Sequence, residues 1–132
     1  MQIPKGNSKA DIEARRHIIK EKLSNLKGKS IKCPCLGGVP VLVTPKGIDE
    51  IAHHACKSEK STISALNLQN EIQSARFVRM TLPKENKRQK KDFQFIFVYV
   101  LESNARTGES VKLTVGVREK PLRFLQYCIT QE

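Results

Sequence analysis

Along residues 110–118 apolar and polar positions alternate without a fault. Val111, Leu113, Val115 and Val117 fall on one side, and Lys112, Thr114, Gly116 and Arg118 on the other. A period of two is the mark of a strand with one buried and one wetted face. The same period begins at Arg76, where Val78, Met80 and Leu82 alternate with Phe77, Arg79 and Thr81 until Pro83 stops the run. Residues 93–101 are apolar on both faces, which predicts a central, covered strand, and residues 122–130 predict a last one. Turn residues Ser103, Asn104 and Gly108 separate the middle two.

The first half of the chain has a different rhythm. Ile12, Ile19, Leu23 and Leu26 share one helical stripe, with Ser8 or Asp11 to cap its start and Gly28 to end it. Val39, Val41 and Val43 then predict a short strand or hairpin closed by the Gly37-Gly38 turn. Thr44-Pro45 signals the start of a helix that keeps Ile48, Ile51, Ala52 and Ala55 on one face. After a polar break at residues 57–60, Ser61 or Thr62 opens another helix marked by Ile63, Leu66, Ile72 and Ala75. The expected fold class is α+β: N-terminal helices packed on one face of a roughly four-stranded antiparallel sheet. Residues 1–28 are expected to be an N-terminal helix or linker, and residues 29–132 a basic α+β domain.

Composition sharpens this. A chain of 132 residues with 39% hydrophobic content can bury a core without staples. Its 24 Lys and Arg against 13 Asp and Glu leave a formal charge of +11, an excess that favours a polyanionic partner, nucleic acid before membrane. No apolar stretch approaches the ~18 residues of a membrane span, and residues 1–10 lack the apolar core of a secretory signal. Cys33, Cys35, Cys56 and Cys128 are therefore expected as reduced thiols of a cytoplasmic protein.

Several side chains are candidates for chemistry. If the valines of residues 111–117 meet the helices, Lys112, Thr114 and Arg118 line the other face around Gly116, and Arg79 joins them if its own strand buries Val78, Met80 and Leu82. Cations fixed on strands suit phosphoryl chemistry, although Lys, Thr and Arg also solubilise any open sheet. Lys84, Lys87, Arg88, Lys90 and Lys91 crowd one loop that could neutralise phosphates, or simply be a solvated hairpin tip. His53 points away from the Ile48 and Ile51 stripe and His54 lies at its edge. Either is a proton-transfer candidate, and both also fit a plain helix surface. Cys33-Pro34-Cys35 has the wrong spacing for common zinc sites, so no metal or cofactor is expected. The motifs of nucleotide hydrolysis, α/β-hydrolase chemistry and zinc proteolysis are missing.

Residues 41–51 (Val-Leu-Val-Thr-Pro-Lys-Gly-Ile-Asp-Glu-Ile), the helix from Asn67-Leu68 to Ala75, Lys112-Leu-Thr-Val-Gly116 and Tyr127-Cys-Ile-Thr130 resemble the barnase, EndoU, colicin and RelE-like nuclease superfamily, in its toxin or mobile-element branches. The resemblance implies metal-independent RNA cleavage, in which a ribose 2′-hydroxyl attacks the adjacent phosphate. In an EndoU-like arrangement the candidates are His53 or His54, Lys112, and Tyr127 or Thr130. In a RelE-like one Arg79, Lys112 and Arg118 suffice, with Tyr127 as an optional fourth. The expected site takes Lys112, Arg79 and Arg118 as phosphate and transition-state cations, Thr114 to orient substrate, and one of His53, His54 or Tyr127 to transfer protons. It also implies an acidic immunity or antitoxin partner, and action in the cytoplasm or delivery to a target cell's cytoplasm within a larger effector. The competing classes are a non-catalytic RNA- or DNA-binding module and an interaction domain of a mobile element.

Overall fold

The computed structural model describes residues 2–83, 94–104, 110–119 and 122–131, with the backbone alone at 127, 128, 130 and 131. The basic loop of Lys84, Lys87, Arg88, Lys90 and Lys91 lies outside the described residues. Four helices precede the main run of strands: α1 (Lys9–Leu23), α2 (Pro45–Ala55), α3 (Glu59–Leu66) and α4 (Leu68–Ser74). Strands β1 (Ser30–Cys33) and β2 (Val39–Val43) sit between α1 and α2, and β3 (Arg76–Thr81), β4 (Phe97–Asn104), β5 (Ser110–Arg118) and β6 (Arg123–Gln131) follow α4.

Local signals set the helix starts. Ser8 accepts a hydrogen bond from the Asp11 amide at 3.1 Å, Thr44 from the Gly47 amide at 3.0 Å, and Ser58 from the Ser61 amide at 3.1 Å. The expected single helix after the polar break is two, starting earlier at Glu59 and interrupted at Asn67. Asn67 closes α3 with backbone bonds to Ile63 and Ser64, while its side chain donates to Glu71 in α4 at 3.1 Å.

Among the described residues the sheet is curled and mixed, with six strands in the order β1-β2-β6-β5-β4-β3. Four of them, β3 to β6, form the expected antiparallel meander. The expectation of about four antiparallel strands is corrected because the β1–β2 hairpin joins the same sheet, β2 running parallel to β6 with Val41, Leu42 and Val43 opposite Phe124, Leu125 and Gln126. That pairing joins residues more than eighty positions apart, with three helices and three strands between them, so no local period announces it.

All the helices gather on one face. Ile48, Ile51, Ala52 and Ala55 of α2 form one cluster with Val41, Val43, Leu101, Val111, Leu113, Val115 and Ile129 of the sheet. Gly47 lets α2 press onto β6, since a Cβ there would overlap the Gln126 carbonyl oxygen. Ile19 and Leu23 of α1 are buried in the same cluster. α1 is clamped further by Arg15, a fully buried cation that donates to the carbonyls of Cys56 (2.7 Å) and Lys57 (3.4 Å) past the end of α2, and of Pro4 (2.9 Å) and Gly6 (2.7 Å). A cation at a helix C-terminus meets the negative end of the dipole, and carbonyls in place of a carboxylate satisfy its donors.

Candidate nucleic-acid interface

Register decides what the helix-free face offers. Val111, Leu113, Val115 and Val117 turn to the helices and are fully buried. Lys112, Thr114, Gly116 and Arg118 therefore turn away, along with the residues directly opposite them on β4. Three strands contribute to one row: Arg76 on β3, Glu102 on β4 and Lys112 on β5, with Thr130 of β6 next in register. Arg76 and Glu102 form an ion pair. The neighbouring row runs Arg79, Val100, Thr114. Side chains opposite one another on such a face stand about 5 Å apart, so one nucleotide can touch Glu102 and Lys112 together.

Arg79 reaches this face by a route the alternation alone does not give. A bulge lies between Phe77 and Arg79, leaving Val78 the extra residue. Phe77 stands opposite Leu101, and Arg79 opposite Val100, so the bulge turns Arg79 to the helix-free side. The strand does not bury the stripe that alternation suggested. Val78, Met80 and Leu82 are all exposed, β3 being the edge strand among the described residues.

The face is not one continuous groove. Phe95 folds back over Gly116, where any Cβ would overlap its ring, and with Val98, Leu125 and Leu42 it makes a small second core. The bare position at Gly116 thus receives a side chain of the protein itself. Beyond that cap, Arg118 pairs in register with Arg123. Six residues of strand place Arg118 about 20 Å from Lys112, so the two cations cannot share one phosphate.

The histidines are elsewhere. α2 lies on the helix-bearing face, and His53 and His54 point outward from it, their rings 5.2 Å apart. His54 Nε2 lies 3.3 Å from Glu50 Oε2. The His53 pKa is held below its ordinary value by burial, then by His54, Arg16 and Lys57. The thickness of the sheet separates both rings from Lys112. Tyr127 falls at a second bulge, opposite the step from Thr114 to Val115. Among the described residues no three His, Cys, Asp or Glu side chains cluster as metal ligands, and no helix is long and apolar enough to cross a membrane.

Sequence reasoning missed Glu102, the acidic member of the charged row. Residues 93–101 read as apolar on both faces, and Glu102 follows as the first polar residue, which passes for the end of a strand. Its place opposite Lys112 comes only from the register.

Residues 10–124 match the family model described as Large polyvalent protein-associated domain 3. No curated protein and no solved structure matches the chain.

Proposed function

The chain belongs to the large polyvalent protein-associated domain 3 family, and from that premise we propose that its helix-free sheet face binds RNA and cleaves it without a metal. The match is compatible with a domain of polymorphic toxin-like proteins. The observation that carries the proposal is the row Arg76, Glu102, Lys112, with Arg79 and Thr114 beside it.

In this reading the Glu102 carboxylate takes the proton of a ribose 2′-hydroxyl. The freed oxygen attacks phosphorus, the bond to the 5′-oxygen breaks, and the leaving oxygen is protonated by Lys112 or water. Lys112 and Arg79 stabilise the charge that accumulates on the phosphoryl oxygens, and Thr114 orients the substrate. Arg76 holds the base in place. Arg118 and Arg123 lie too far away for the reacting phosphate and serve a neighbouring part of the strand. His53, His54 and Tyr127 have no step in this scheme. Delivery within a larger effector and restraint by an acidic immunity or antitoxin protein belong to the same proposal.

The test is incubation of the purified protein with total RNA in EDTA. Cleavage should leave 2′,3′-cyclic phosphate ends and fall at least about a hundredfold in Lys112→Ala and in Glu102→Gln. Salt-sensitive binding of intact RNA, with no cleavage by the unaltered protein, would remove the enzyme. It would leave the second reading, a non-catalytic RNA- or DNA-binding module. That reading draws support from the two histidines facing away from the charged row.

A further inference from the structure

We propose that Phe77, with Tyr99 and Phe97 beside it, is a stacking platform for the bases of single-stranded RNA running along the β3 edge. This rests on the RNA reading above and adds a subsite on the opposite side of the sheet. Phe77 stands opposite Leu101 and therefore on the helix-bearing face, but the residue is 48% exposed. Its ring meets Tyr99 edge to face at 5.8 Å, and Tyr99 meets Phe97 at 5.4 Å. Tyr99 is stacked on Phe124 at 5.9 Å and 6°. Phe97, Tyr99 and Phe124 are half-buried, so the row is anchored in the core at one end and open at Phe77. Rings fixed on strands lose little freedom when a base stacks on them, and stacking tolerates any base.

The edge supplies phosphate contacts as well. Among the described residues β3 is hydrogen-bonded to β4 alone. Along it Arg76 precedes Phe77, and Arg79 precedes Met80, which is also exposed. A strand of RNA following this edge would set bases against Phe77 while its backbone passes the arginines. Large apolar side chains on an open edge invite pairing with another chain, and charge decides against a second copy of this one. Two such edges side by side would bring Arg79 against the same arginine-bearing edge, where the ion pair with Glu102 compensates Arg76 alone, in a protein of formal charge +11. A polyanion with flat apolar faces matches both halves of the edge.

The experiment compares two ligands. One is a fluorescent 12-nucleotide 2′-O-methyl oligoadenylate, which has bases but no free 2′-hydroxyl to attack. The other is inorganic polyphosphate of matched charge, which has no bases. Phe77→Ala should weaken oligonucleotide binding about tenfold and leave polyphosphate affinity unchanged. Phe77→Tyr should retain binding, and Phe77→Leu, which keeps apolar bulk and removes the ring, should lose it. Undiminished oligonucleotide binding by Phe77→Ala and Phe77→Leu would overturn the platform while leaving the basic surface standing. An equal loss on both ligands would overturn it too, by showing a general disturbance. Failure of the unaltered protein to bind either ligand would sink the RNA reading itself.

Discussion

The two faces of the sheet are made by the same strands and differ in nearly everything else. On β5, Leu113 is sealed under the helices, whereas Lys112 and Thr114 on either side of it are only half-buried. The helix-bearing face is a continuous apolar layer from Ile31 through Val41, Ile129 and Leu113 to Leu101. The helix-free face is broken into a charged row at one end, a small apolar cap in the middle and a pair of arginines at the other. Burial provides stability on the first face and leaves the second free to hold cations that a core could keep only with buried acceptors, as it keeps Arg15. The lesson is that a strand's alternation separates stability from chemistry residue by residue, and that neighbours in sequence should respond to substitution in opposite ways.

The largest expected effect tests that directly. Leu113→Ala should cost about 2–5 kcal/mol in urea denaturation, through lost burial and a cavity that the clustered valines cannot fill. Lys112→Ala, one residue away, should stay within about 0.5 kcal/mol yet remove the proposed RNA cleavage. Equal losses of stability at the two positions would mean that the helix-free face is packed as tightly as the other, and the comparison would fail.

A smaller effect probes the cap that divides the free face. Gly116→Val puts a side chain where the Phe95 ring lies. Displacing the ring from Val98 and Leu125 should cost about 1–3 kcal/mol. Stability equal to that of the unaltered protein would show that Phe95 does not rest there, and would reopen one groove from Lys112 to Arg118.

What could be read from the sequence follows the same division. β5 was legible because its period is local: each apolar residue answers to one two places away. The caps at Ser8 and Thr44 were legible because a side chain bonds an amide three residues on. The parallel docking of β2 on β6, the bulge at Val78 and the seat of Phe95 on Gly116 were not. Each is settled by partners distant in the chain, and each changes the candidate site. The bulge brings Arg79 to the charged row, Phe95 removes Arg118 from it, and register adds Glu102. The site residues were thus partly visible as residue types, but their grouping belongs to the tertiary structure.

The smallest effect lies on the outer surface of the helix layer, and it is a matter of sign. His53 titrates below its ordinary 6.5, chiefly because of burial and then because His54, Arg16 and Lys57 oppose its charge. Since the unfolded chain takes up this proton at the higher pH, acidification through 6.5 favours unfolding until the folded state's own lower pKa is passed. The side chain is largely exposed, so solvent screens most of the penalty and the loss should be slight. The melting temperature should fall between pH 7.5 and pH 5, and His53→Gln should shrink that fall, as should Arg16→Gln. Neither substitution should alter the proposed RNA cleavage at neutral pH, because the ring and the charged row stand on opposite sides of the sheet. A His53 found by NMR to titrate at or above 6.5 would break the electrostatic account. Loss of cleavage in His53→Gln would break the assignment of chemistry to the helix-free face.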